Sequence, residues 1–210
     1  MMPTDRVLSE MREFGFRATE MGAPGFLPAD GAAAQAKLAE YDMQMLGGFV
    51  PLVLHDPAQR EATIGAAIAA ADVFQASGGS KFVTAIIVDE AWSDPIPLSE
   101  DQKAHVVEML AVIDAICEER DLEQVIHPHA QTLVETAADV QWLLDDSRVK
   151  WTLDTGHLAI GSRPACMEVH RGGAAPAGLL EGPRDRAPVL LRHHRPDPRS
   201  GHGHPRLGWH

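Results

Sequence analysis

Between residues 5 and 153 two hydrophobic textures alternate along the chain. Short apolar runs, which read as strands, are separated by longer stretches with apolar positions at helical spacing. The strongest strand signal is FVTAIIV at 82–88. LGGFVPLVL at 46–54, Leu122–Ile126 and VKWTL at 149–153 follow, and FRATEM at 16–21 alternates well enough to join them. The strands are apolar almost throughout, as in a sheet covered on both faces. The intervening helices carry start and stop signals. Thr4 or Asp5 caps a first helix that Gly15 ends, and an Ala-rich helix runs from Ala32 to Met43 after the loop GAPGFLPADG. Asp56-Pro57 pairs an N-cap with a first-turn proline, opening a helix that reaches Ala76 and stops at Gly78-Gly79. Ser99, with Gln102 three residues on, opens a helix to Arg120 in capping-box style, and a last one covers Val134–Asp145.

The predicted order is therefore α-β-α-β-α-β-α-β-α-β, with strands starting near 16, 46, 82, 122 and 149. That spacing fits βα units feeding a parallel sheet, an α/β fold. Two architectures satisfy it: an open doubly wound sheet and a closed eight-stranded β/α barrel. No GxGxxG follows the early strands, which weighs against a dinucleotide-binding sheet.

Polar residues gather where the predicted strands end. Glu20 closes the first, His55 the second, Asp89 and Glu90 the third, His127 and His129 the fourth, Asp154 and His157 the fifth. Each has a bland reading. Asp154 alone is more simply a cap or turn former, and Asp56 explains the polar step after His55 by capping. Glu90 fits a solvated loop acid, Trp92 a cover over the mouth of a barrel, and His127 and His129 two exposed residues at a turn. Their joint placement is what raises them, because the carboxyl ends of parallel strands are where α/β folds build active sites. Imidazole with carboxylate suits a divalent cation such as Mn²⁺, Co²⁺ or Zn²⁺.

Charge narrows the partners. The net charge of −12 over 210 residues opposes a nucleic-acid binder that neutralises phosphates and fits a small-molecule partner. Cys117 and Cys166 have no CxxC partner, so neither a disulfide framework nor a zinc knuckle is expected. No basic-then-apolar leader and no stretch of about 18 apolar residues stands out, so cytoplasm is the expected location and no membrane contact is expected.

Composition also breaks near Ser162. Residues 1–162 hold 10 Lys+Arg against 26 Asp+Glu, whereas 163–210 hold 8 Arg, no Lys and 4 acids, with 7 Pro, 7 Gly and 6 His. The first text reads as a domain at 1–162 and the second as an irregular tail.

The segment LDTGHLAIG at 153–161 resembles the LDTGH segment of the xylose-isomerase-like β/α-barrel superfamily. That group holds sugar-phosphate isomerases and epimerases, inosose dehydratases and endonuclease-IV-like enzymes. FRATEMGAPGFLP (16–28), GGFVPLVLHDP (47–57) and VIHPHAQTLVET (125–136) resemble the inosose-dehydratase branch, in the same order. The resemblance covers residues 5 to about 162 and implies a (β/α)8 TIM barrel, of which about five units are present. It also implies a divalent metal at the strand ends, with Asp154 as one ligand and His127 or His129 as another, and a sugar or cyclitol substrate. His157 is the implied substrate-facing partner, with His55 and Trp92 as further candidate substrate contacts. Glu90, His129 and His157 are the candidate proton-moving groups. The implied chemistry is isomerisation, epimerisation or dehydration through an enediolate, whose first half is common to all three. An endonuclease-IV-like phosphodiesterase is the competing class, and it needs a basic face that the acidic body lacks.

Departures from the family pattern set further expectations. The first barrel strand has no counterpart ahead of the first helix. No His-x-His-Leu-Lys-Asp-like segment and no later Glu-bearing strand follow LDTGHLAIG, and only APVLL at 187–191 has strand character. The tail reads as a frameshift in a GC-rich gene, as a disordered segment or as a His-rich metal-binding tail. The abruptness of the change inside a motif-bearing segment favours the frameshift. An unclosed barrel leaves two strand edges and part of the metal site open, so the polypeptide is expected to be marginally stable or to aggregate, to bind metal weakly, and to be impaired or inactive. Resequencing the coding DNA across codons 155–175 checks the frameshift. The expected outcome is that another frame continues with a His-x-His strand and a later Glu-bearing strand; if none of the three does, the tail is the protein's own.

Overall fold

The structure is a computed structural model that describes residues 2–161. The tail at 163–210, with Cys166 and the APVLL run, lies outside the described residues. The elements are α1 (Thr4–Glu13), β1 (Ala18–Glu20), α2 (Gly31–Ala39), β2 (Gln44–Leu52), a 3-10 turn at Pro57–Gln59 running into α3 (Arg60–Ala76), β3 (Lys81–Ile86), α4 (Glu100–Glu118), β4 (Glu123–Ile126), α5 (Ala137–Asp146), β5 (Lys150–Trp151) and α6 (Thr155–Gly161). The five strands form one sheet in the order β1-β2-β3-β4-β5, and every pairing is parallel. A doubly wound sheet reverses direction at a switch point. Here each strand is added on the same side of the last, and right-handed crossovers then put the helices on one face. This is the winding of a β/α barrel, and it settles the choice that periodicity left open.

Local chemistry explains most boundaries. Asp30 opens α2 by accepting the Ala33 N–H (2.8 Å), and Ser99 and Gln102 form the expected reciprocal capping box at α4. The predicted start of α5 at Val134 moves to Ala137, because Thr136 and Asp139 form a second capping box. Four helix ends share one device. Gly15, Asp42, Gly78 and Asp121 all take positive φ, between 54° and 89°. The residue after each donates its N–H five residues back, to Met11, Leu38, Phe74 and Cys117 respectively (2.8–3.1 Å). This is the Schellman stop. It explains why α2 ends at Ala39 and not at Met43: Asp42 does the job usually given to glycine, and buried Leu38 and Met43 pack in the same cluster.

Two apolar clusters hold the layers together. The larger joins Leu52, Phe82, Ile86 and Ile126 of the sheet region to Ala71, Phe74, Met109, Ile113, Cys117 and Leu143 of α3, α4 and α5. The smaller gathers Leu8, Leu27, Ala34, Leu38, Met43 and Met45 around α1 and α2. The opposite face of the sheet carries the chemistry, and a bulge decides what it shows. Burial alternates along β2, breaks at Gly47-Gly48 and resumes with Phe49 half-exposed. The β1–β2 register shifts at the same place, where Thr19 pairs Met45 but Glu20 pairs Gly47. Gly47 has φ +151°, and a Cβ there would lie 1.7 Å from the Lys81 carbonyl oxygen, so only glycine fits. Register then sets Phe49 beside Val83, and Val83 beside Val125.

At the amino ends of the strands this face carries Lys81 and Lys150, both bonded to Glu123 across β3, β4 and β5. Those two ammonium groups, Lys150 first, hold the Glu123 carboxyl at about 2, below its ordinary 4.5. A depressed acid adds stability above its unfolded pKa and loses it as pH falls through the folded one. The apparent Tm of the chain is expected to fall as pH drops from about 4.5 to about 2, and Glu123→Gln is expected to flatten that limb while lowering Tm at neutral pH. Scanning calorimetry on both proteins across that range checks it.

Candidate functional site

The site lies at the carboxyl ends of β4 and β5. His127 follows β4 directly, and its N–H donates to the Thr84 carbonyl of β3 at 2.8 Å, extending the ladder by one residue. The chain then turns. His129 N–H reaches the Val134 carbonyl (3.3 Å), Thr132 N–H returns to the His129 carbonyl (3.2 Å), and the Thr132 hydroxyl donates to that same carbonyl (2.8 Å). This loop aims both histidines into one space. Asp154 ends the β5 segment. Its Oδ1 accepts the His157 N–H at 2.9 Å, so it caps α6, as the bland reading of an isolated Asp expects. Its Oδ2 is left to face imidazoles: His157 Nδ1 at 3.2 Å and His127 Nε2 at 3.9 Å.

The three imidazoles pack closely. Ring centroids are 4.1 Å apart for His129 and His157, 5.1 Å for His127 and His157, and 5.5 Å for His127 and His129. One nitrogen from each lies within 4.8 Å of the others. His129 Nδ1 sits 2.7 Å from the Ala130 carbonyl oxygen. A carbonyl only accepts, so Nδ1 is a protonated nitrogen and, in the uncharged ring, Nε2 is the one that can ligate. Burial, then the neighbouring His129 and His157, push the His127 imidazole below its usual range and keep it neutral. The His157 N–H, with the imidazoles of His157 and His127, holds the Asp154 carboxyl low and ionised. His127 Nδ1 and His157 Nδ1 are buried without a hydrogen bond, the latter close to Asp154 but not aligned with it. Three imidazoles beside a carboxylate, with the Nδ1 atoms of His127 and His157 unsatisfied, fit a divalent cation.

These residues border an open cleft of about 520 Å³ that also touches Glu20, Phe49, Val83, Thr152, Leu153 and Thr155. Trp92 does not line the cleft, but its ring lies 5.6 Å from that of His129, which does. His55 and Glu90 do not line this cleft. His55 is buried beneath the end of β2, where loss of solvent lowers its pKa. Glu90 is exposed and borders a separate depression with Asp56 and Asp89. Phe49 is the residue that sequence reading missed. Its run looked like a strand buried on both sides, and the only clue was the Gly-Gly pair that marks the bulge.

Residues 8–178 match the model of the xylose isomerase-like TIM barrel family, and the chain belongs to that family. It is 28% identical over 179 residues to the inosose dehydratase of Geobacillus kaustophilus (strain HTA426), a match covering 80% of this chain and 58% of that protein. Among solved structures it is similar to an L-ribulose 3-epimerase (TM-score 0.59, 17% identity, 75% of this chain and 56% of that one). It is also similar to the IolI protein with a bound zinc atom (TM-score 0.57, 18% identity, 75% and 60%). A family 2 AP endonuclease from Brucella melitensis shares the fold as well (TM-score 0.61, 12% identity, 78% and 67%). The chain thus spans a little over half the length of the curated relative it matches. No helix among the described residues is long and apolar enough to cross a membrane.

Proposed function

We propose that this chain is a metal-dependent isomerase, epimerase or dehydratase acting on a sugar or cyclitol ketone. The supporting observation is the three-histidine cluster with Asp154 at the strand ends of a xylose isomerase-like barrel. His127, His129 and Asp154 would hold the ion. A divalent cation there supplies a Lewis acid that polarises the carbonyl of a hydroxy-ketone. His129 offers Nε2 in the tautomer that Ala130 fixes. His157, oriented by Asp154, moves the proton at the carbon beside the carbonyl. The relatives named for inosose dehydratase and ribulose epimerase support a polyol substrate. The net charge of −12 speaks against a phosphodiester polymer.

Exchange of carbon-bound hydrogen in D₂O tests the reading. With Mn²⁺, Co²⁺ or Zn²⁺ present, scyllo-inosose or D-fructose is expected to take up deuterium beside its carbonyl, read by NMR, and EDTA is expected to stop it. His157→Ala is expected to slow exchange by about 10²–10⁴-fold, with Co²⁺ affinity read in parallel because His157 belongs to the three-histidine cluster. His127→Ala is expected to weaken Co²⁺ binding by at least about 10-fold. Exchange that survives EDTA, or that ignores His157→Ala, removes the proposal.

A further inference from the structure

Beside the histidines stands an aromatic wall with its own support. Phe49 and Trp92 stack with centroids 6.3 Å apart and planes 24° from parallel. Phe49 lies 5.4 Å from the His129 ring and meets His127 edge-on at 6.0 Å, so Phe49 and the imidazoles border one space, and Trp92 joins them through Phe49 and His129. Each of the two large rings keeps 37% of its surface exposed. Trp92 is in the left-handed region, φ +58°, which is unfavourable for a bulky side chain. A turn after β3 holds it there. Asp89 Oδ1 accepts the N–H of Ala91 (3.0 Å) and of Ser93 (3.1 Å), and the Asp89 carbonyl accepts the Trp92 N–H (3.0 Å). Hydrogen bonds from Ser93, then from Ala91, keep the Asp89 carboxyl ionised. These three hydrogen bonds of residue 89 all go to the backbone of Ala91, Trp92 and Ser93 and none to His127, His129 or His157.

Resting on the function proposed above, we infer that Asp89 is a positioning residue: its carboxylate fixes the turn that lays Trp92 against Phe49, and the wall so formed takes the C–H face of a ring-closed polyol. A ring whose hydroxyls are equatorial presents axial C–H groups on each face, and these suit the electron-rich face of an indole. An open-chain polyol has the same hydroxyls and no such face. The hydroxyls at the ring's edge then turn toward the imidazoles.

The probes are scyllo-inositol, with six equatorial hydroxyls, and D-sorbitol, an open-chain hexol. Binding to the full chain is read by saturation-transfer NMR on the carbon-bound hydrogens, with Co²⁺ affinity measured in parallel. The expected result is that scyllo-inositol binds more tightly than sorbitol. Asp89→Ala and Trp92→Ala each weaken scyllo-inositol by about 3- to 10-fold. Asp89→Asn restores binding to within about twofold, because its amide oxygen accepts the same two N–H groups. Co²⁺ affinity stays the same in all three variants. Should Asp89→Ala fail to fold, Trp92→Ala, which truncates a half-exposed ring, carries the wall and Asp89→Asn carries the positioning role. Equal binding of the two probes, no binding of either, or no effect of Trp92→Ala overturns the wall. Loss of Co²⁺ affinity or of scyllo-inositol binding in Asp89→Asn overturns the positioning role, since a ligand or charged base needs the carboxylate itself. Deuterium exchange without ring preference sinks this inference and spares the proposed reaction; ring preference without exchange does the reverse.

Discussion

Parallel strands cannot be joined by a tight turn, and the whole arrangement follows from that constraint. Each pair of neighbouring strands needs a crossover, here a helix, and each crossover returns the chain to the same end of the sheet. The carboxyl ends of all five strands therefore collect on one side. His127, Asp154 and the loop carrying Trp92 lie far apart in sequence and meet because β3, β4 and β5 are consecutive neighbours. The repeated Schellman stop serves the same constraint. It ends each of the first four helices in one left-handed residue and sends the chain into the next strand.

Along the inner face of the sheet polarity is graded. Lys81, Glu123 and Lys150 satisfy one another at the amino ends. Val83 and Val125, with Phe49 beside them, form an apolar middle. The imidazoles and Asp154 stand at the carboxyl ends. The apolar layer separates two charged sets that would otherwise compete for partners. Asp154 faces His157 and His127 with its Oδ2, and burial lowers the His127 pKa, favouring the neutral form in which imidazole binds metal.

Asp154 shows why a bland and a chemical reading of one residue are not alternatives. Its Oδ1 is a helix cap and its Oδ2 is part of the histidine cluster. The cap fixes the carboxylate plane, and that plane aims the second oxygen. Asp89 divides its work differently, since its side chain and its carbonyl both go to the turn under Trp92.

Element type and order were legible in the chain because capping residues, glycines and apolar periodicity act over a few residues. The capping box at Ser99, the Pro57 helix entry and the stops at Gly15 and Gly78 are of this kind. So was the gathering of Glu20, His127, His129, Asp154 and His157 at strand ends, because strand polarity follows from the βα repeat. Where the stop residue was Asp42 in place of glycine, the helix end was misplaced, since an aspartate gives no comparable local signal. Tertiary structure alone decided the rest. The same-direction strand order chose barrel winding over a doubly wound sheet, a matter of which strands pair and not of what each strand is. A one-residue bulge at Gly47 turned Phe49 to the inner face, because side chains alternate with period two and one extra residue inverts the rest of the strand. Packing left His55 and Glu90 outside the cleft even though they stand at strand ends, because a residue's place in sequence does not determine which face of a loop it occupies.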